Sequence, residues 1–190
     1  MRTSTGQTAR LSLGLVAVSV ALLQGCASST DGIGLGFGGG PGVTAYKEAN
    51  AVAPQGYQVA SSEAGGVRVT ATGSAATPNE RLLKIALAQA AAYGAEQNKK
   101  TFRIGEPAYT TRCGKSMVSE RGNTRSIVPN DYRVVVIDAT FGGASADPAD
   151  KPTKETSAAL IAELQAETIP PETQAALVAQ LKQACGRSPS

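Results

Sequence analysis

The sequence predicts an α+β domain: a four-stranded, mostly antiparallel sheet with one packed helix, in the order ββαββ, followed by a C-terminal helical hairpin. Three observations carry that reading. Val67 to Thr72 alternates apolar and polar residues with a period of two. An alanine-rich stretch with helical spacing follows Thr77-Pro78-Asn79-Glu80. Tyr132 to Phe141, YRVVVIDATF, is a long run rich in β-branched residues.

Taken in order, Tyr57 to Ser61 reads as a short first strand. Glu63-Ala64-Gly65-Gly66 is a turn cluster, and Val67 to Thr72 places Val67, Val69 and Ala71 on one face, so the two strands make a hairpin. At the helix start, the Thr77 hydroxyl and Glu80 have the spacing of a reciprocal cap, and Pro78 stands where no amide partner is missed. The helix is expected to run to about Gln97, with a stripe of Leu83, Leu87, Ala90 and Gly94 flanked by Ala86, Ala91 and Tyr93. Thr101 to Ile104 is the third strand. Val134-Val135-Val136-Ile137 makes the last strand central and covered on both faces.

Residues 142–154 are Gly, Ala, Ser, Asp and Pro-rich and read as a linker. Within residues 155–186, Leu160, Ile161 and Leu164 mark one helix side, Pro170-Pro171 breaks it, and Leu177, Val178, Leu181 and Cys185 mark a second. Helices this short need a surface to dock on, either their own domain or a partner. Residues 187–190 read as a disordered tail.

Composition narrows the chemistry. The chain has 190 residues, 42% apolar content, 4% aromatics, no tryptophan and no histidine. The core must therefore come from Ala, Val, Leu and Ile. The missing histidine excludes Ser-His and Cys-His nucleophile pairs and every His-ligated metal site. Net charge is +3, and Arg2 and Arg10 belong to the first 25 residues, which hold no acid. The remainder carries +1, which does not suit nucleic acid.

The amino terminus is a polar segment with two arginines, then the 13-residue apolar run Leu11 to Leu23. As a helix that run would span roughly 20 Å, short of a ~30 Å hydrocarbon core, so it reads as an export signal. It ends Leu23-Gln24-Gly25-Cys26-Ala27, which resembles the lipobox of bacterial lipoproteins. The resemblance implies a signal peptide of residues 1–25, cleavage before Cys26, acyl chains on that cysteine, and, with Ala27 after it, sorting to the outer membrane facing the periplasm. The rival readings are cleavage after Ala27 with release of a soluble protein, and an uncleaved anchor. Residues 26–56 contain GIGLGFGGGPG at 32–42, a flexible tether; no strand precedes it and no Gly-Lys-Ser/Thr is present, so it is not a phosphate loop.

Within 57–141, Gly56-Tyr57, Val67-Arg68-Val69 ending at Gly73, Glu80-Arg81 and Phe102-Arg103-Ile104 resemble a family of small, uncharacterised proteobacterial outer-membrane lipoproteins. That resemblance implies location and fold, and no activity.

Residues 109–131 form a long connection that carries Arg112, Lys115, Arg121 and Arg125 against Glu120 and Asp131. So long a connection binds something or is pinned. Its charges suit an anionic glycan, phosphate or lipid headgroup; they equally suit a solvated loop. Once Cys26 is acylated, Cys113 and Cys185 remain, and an oxidising compartment favours their pairing. The alternatives are two unpaired or buried thiols, a Cys113 nucleophile activated by Arg112 and Lys115, or a two-cysteine metal site. The expected function is a non-enzymatic envelope interaction or structural module, with the membrane and an envelope protein as partners and no cofactor or metal. A ligand-binding module using the basic loop is the alternative, and an enzyme built on Glu80, Asp131 or Asp138 is a third hypothesis.

Overall fold

The four expected strands form, but they are half of the β-structure. In this computed structural model, residues 42–51, 53–62, 65–119, 125–143 and 147–188 are described, with backbone alone at 116–119 and 125–129. The signal segment 1–25, Cys26, Arg121 and the tail residues 189–190 lie outside the described residues. All described residues belong to one compact unit, Leu35–Ser190.

The strands are β1 (Gly56–Ser61), β2 (Val67–Gly73), β3 (Thr101–Ile104), β4 (Ala108–Arg112), β5 (Lys115–Ser119), β6 (Arg125–Pro129), β7 (Tyr132–Gly142) and β8 (Lys151–Pro152). The helices are α1 (Asn79–Glu96), α2 (Thr153–Ala166) and α3 (Pro171–Ala184). The main sheet is six-stranded in the order β1-β2-β7-β3-β8, with β4 also paired to β7, and β5–β6 make a separate two-stranded ribbon. The α+β class holds, while the four-stranded ββαββ arrangement is corrected to this larger sheet.

The correction has a local cause. Residues 109–131 are not a loop; they hold β4, β5 and β6. Every residue of β4 is exposed, so AYTTR has no buried face to impose a period of two. β3 and β4 follow one another along the same edge of β7. Ile104 pairs with Ala139 and Ala108 with Val136. Four steps on one strand thus oppose three on the other, and the extra residue makes a bulge at Gly105-Glu106-Pro107.

The core lies on one face of this sheet. Val67, Val69 and Ala71 of β2 sit opposite Ala139, Ile137 and Val135 of β7. α1 covers them with Leu82, Ile85, Ala86, Ala88, Ala90 and Ala91, all at 0% exposure. The leucine stripe expected at Leu83 and Leu87 is only partly buried. α1 is packed on two sides, by the sheet and by α2, so Leu82 and Ile85 take the centre. β7 is central, as expected, but burial of its second face fades from Val134 to Asp138.

α2 runs antiparallel to α1. Arg81 near the start of α1 meets Glu167, and Gly94 near its end faces Thr153. Leu160, Ile161 and Leu164 join the core, as their spacing foretold. The segment 142–154 is more than a linker, since β8 and the buried Thr153 fall within it. α3 docks at the N-terminal end of β7, where Arg133 Nη2 donates to the Leu177 carbonyl at 2.8 Å, and it buries Leu181.

Two further boundaries move. The tether of residues 26–56 ends early, because Thr44 and Ala49 are buried, the Ala49 amide donates to the Tyr57 carbonyl, and the Tyr57 amide donates to the Lys47 carbonyl along the edge of β1. The tail of residues 187–190 is fastened at Arg187, which pairs with Asp131.

Candidate functional site

Two of the sequence-predicted site residues, Cys113 and Cys185, meet at the corner where β4 ends and α3 ends. Cys113 and Cys185 form a disulfide with Cα atoms 5.5 Å apart. Asp131 lies beside it. Its carboxylate accepts from the Gly114 amide at 3.1 Å and from Arg187 Nε and Nη2 at 2.7 Å each. Arg187 Nη2 also donates to the Gly114 carbonyl at 2.6 Å. The Arg187 guanidinium holds the Asp131 carboxyl below its ordinary range; burial opposes this and the Gly114 amide assists.

That corner is chemically closed. Ligand atoms of Cys113, Asp131 and Cys185 lie within 4.8 Å of one another, the spacing of a metal site. Both sulfurs are spent in the disulfide, however, and thiolate is what binds metal or attacks a substrate. The Asp131 oxygens are taken by Arg187. The arrangement ties the last helix to the sheet.

The four basic candidates are not brought together. Arg112 and Lys115 flank Cys113 and are exposed. Arg125 is described by backbone alone, opposite Ser119 in the β5–β6 ribbon. Arg121 lies outside the described residues. A cleft of about 380 Å³ is found instead at the far end of α1, lined by Asn98, Lys99, Lys100, Thr153, Lys154 and Glu155 among others.

Of the carboxylates considered for catalysis, Asp131 and Asp138 each have an arginine partner. Asp138 accepts Arg68 Nε and Nη2 at 3.0 Å and Ser62 Oγ at 3.1 Å, and the Arg68 pairing holds its carboxyl low. Seven residues of extended chain separate Asp131 from Asp138, roughly 23 Å, far beyond the ~5–9.5 Å of paired glycosidase carboxylates. Glu80 stands in the first turn of α1.

Thr77 does not cap α1; the N-cap residue is Pro78 and no side chain caps it. Thr77 is instead fully buried in a hydroxyl cluster. The Thr44 amide donates to Thr77 Oγ1 at 2.9 Å, and Thr77 Oγ1 donates to Thr44 Oγ1 at 3.0 Å. Ser74 Oγ lies 3.0 Å from Thr77 Oγ1. Beside them Arg81, 7% exposed, donates to the Thr44 carbonyl, the Leu164 carbonyl and Glu167. Burial alone would raise the Glu167 carboxyl, but Arg81 and Lys84 outweigh it and hold it low. This seam staples the amino-terminal segment, α1 and α2. An arginine inside an alanine-rich helix was its one sequence signal.

Two more features were not legible in the sequence. Tyr46 donates to Gln89 Oε1 at 2.8 Å and packs on Tyr57, and burial pushes its hydroxyl up to about 12. Among the described residues Arg133 has no carboxylate at ion-pair distance and its buried Nε has no hydrogen-bond partner, and burial lowers its pKa.

Comparison of the chain with family models, with curated proteins and with solved structures found no match.

Proposed function

We propose that this chain is a lipid-anchored envelope protein of the outer membrane, facing the periplasm, in which the described domain acts as a non-enzymatic interaction or structural module. The observation that carries the reading is the Cys113–Cys185 disulfide. It accounts for two of three cysteines and leaves Cys26, the one in the lipobox-like Leu23-Gln24-Gly25-Cys26, for acylation. A structural disulfide also suits an oxidising compartment. No described helix is long and apolar enough to cross a membrane, so attachment falls to the amino terminus in this reading.

The non-enzymatic part draws support from the polar groups. Asp131 and Asp138 are bound by arginines, Arg81 is committed to a staple, and the sulfurs of the corner are oxidised. The alternative, anion recognition by residues 109–131, draws less support, since Arg112 and Lys115 are exposed and do not line the cleft at the far end of α1.

Intact-mass measurement of the protein from the membrane fraction, with and without reductant, tests the proposal. The expected species begins at Cys26, carries fatty acyl mass, and gains two hydrogens on reduction. A soluble species beginning at Ser28 without acyl mass would sink it.

A further inference from the structure

We propose that the corner where α1 ends and α2 begins is a docking surface for the phosphate-bearing lipid headgroups of the membrane on which the domain is moored, an inference that rests on the anchor reading above. The chain path assembles four lysines there. Thr153 N donates to the Lys100 carbonyl at 3.0 Å and Thr153 Oγ1 to the Lys99 carbonyl at 2.6 Å. β8 pairs Lys151 with Phe102. Lys154 follows in the first turn of α2.

These lysines are clustered, whereas the other described cations outside ion pairs, such as Lys47 and Arg133, are dispersed over the chain. Lys99, Lys100, Lys151 and Lys154 are all exposed, and among the described residues none is in an ion pair. Arg68, Arg81, Lys84, Arg103 and Arg187 each have a carboxylate. The nearby Asp147 and Asp150 are both bound to Arg103, an exposed cluster with one surplus negative charge. Glu155 is the carboxylate lining the cleft. Four lysines against Glu155 and that surplus amount to +2.

The position is also unfavourable for the fold itself. Lys99 and Lys100 follow the C-terminus of α1, where cations complement the helix dipole. Lys151 and Lys154 sit at the N-terminus of α2, where they oppose it. A charge placed against the preference of its own helix marks a site kept for another purpose. The cleft of about 380 Å³ is lined by Lys99, Lys100 and Lys154, with Lys151 one residue before its Pro152 wall, and lysine ammonium groups bind phosphate as mobile point charges. Membrane is the source of phosphate that the tether favours. Sixteen peptide steps join Cys26 to Gly42, at most roughly 55 Å when fully extended, so an anchored domain stays within reach of the headgroups.

The test uses the full chain carrying Cys26→Ser, which has no lipid, floated with vesicles of phosphatidylcholine and of a phosphatidylcholine–phosphatidylglycerol mixture. The ratio of the two affinities cancels any contribution of the apolar residues 11–23. Each lysine near an anionic surface is worth roughly fivefold, so the set K99Q, K100Q, K151Q and K154Q should cut the anionic preference by roughly several hundredfold at low salt. K151Q with K154Q alone should cut it by about tenfold or more, and serves if the fourfold variant loses its disulfide or its helix signal. R112Q with K115Q should leave it within about twofold.

An unchanged preference in both lysine variants overturns the proposal, as does a loss confined to R112Q with K115Q. Saturable binding of inorganic phosphate, over chloride at matched ionic strength, with no anionic vesicle preference makes this a free-phosphate site and also overturns it. Because this protein has no acyl chain, failure here leaves the anchor reading standing, and absence of acyl mass on Cys26 leaves this result standing.

Discussion

Arg187, three residues from the C-terminus, closes a two-nitrogen pair on Asp131 at the mouth of β7, with both contacts at 2.7 Å. Asp131 is the more buried partner, its side chain 5% exposed against 21% for Arg187. The pair lies beside the disulfide, with the Asp131 carboxylate close to both sulfurs.

Its pH dependence follows from the sign of the Asp131 shift. The folded-state pKa lies below the unfolded value of about 3.9. The unfolded chain thus binds the proton more readily, so the stabilisation is present above that value and is lost as pH falls through the lower folded pKa. Asp131→Asn should lower the melting temperature at pH 7, and the gap to the parent should close on acidification. A gap that persists unchanged at pH 2 to 3 would assign the loss to packing instead.

Removing the disulfide should loosen α3 before the rest. The bridge closes a separation of 72 residues, for which the chain-entropy estimate is about 4 kcal/mol. C113S with C185S should therefore lose about 2–4 kcal/mol in urea unfolding. Leu181 is the buried residue of α3, so amide exchange should quicken in α3 while β7 and α1 stay protected. Uniform loss of protection would show that α3 and the sheet unfold as one unit.

Arg81 should be costly to truncate. Arg81→Ala leaves the Thr44 and Leu164 carbonyls and Glu167 without their donor, though Lys84 still reaches Glu167 at 3.2 Å. Breaking a buried pair costs about 3–5 kcal/mol, and the retained lysine puts this case near the lower figure. Urea midpoints of Arg81→Ala and of Glu167→Gln should differ, with the arginine variant the weaker.

Gly94 is where helix propensity and packing disagree. Alanine would gain about 1 kcal/mol of propensity. Its Cβ would lie 2.7 Å from Phe141 Cε1 and 2.8 Å from Thr153 Cγ2, and overpacking costs about 1–3 kcal/mol. Packing should win, so Gly94→Ala destabilises by about 1 kcal/mol by urea unfolding, with a perturbed Tyr93–Phe141 ring pair. A stabilised variant would show that α2 yields freely.

Legibility in the sequence followed burial. β2 and β7 could be read because one face of each is in the core, which imposes apolar residues at alternate positions such as Val67, Val69, Val135 and Ile137. β4 could not, since none of its residues is buried. Thr77-Pro78-Asn79-Glu80 announced a helix correctly, yet the Thr77 hydroxyl went to Thr44, a partner 33 residues away that no local pattern contains. Arg112, Lys115, Arg121 and Arg125 looked like one basic loop because they are close in sequence. The lysines that do share a cleft, Lys99, Lys100 and Lys154, come from both sides of a 54-residue gap in numbering, Lys100 to Lys154.

By itself, the sequence determined what neighbours in the chain can encode: an apolar run from Leu11 to Leu23, two periodic strands and an alanine-rich helix. Tertiary structure decided which distant groups meet, namely Arg187 with Asp131, Arg81 with Glu167, and α2 rather than the sheet as the second wall around α1. The physical reason is that periodicity records whether a face is buried, whereas the partner burying it is selected by close packing and polar satisfaction among residues dozens of positions apart.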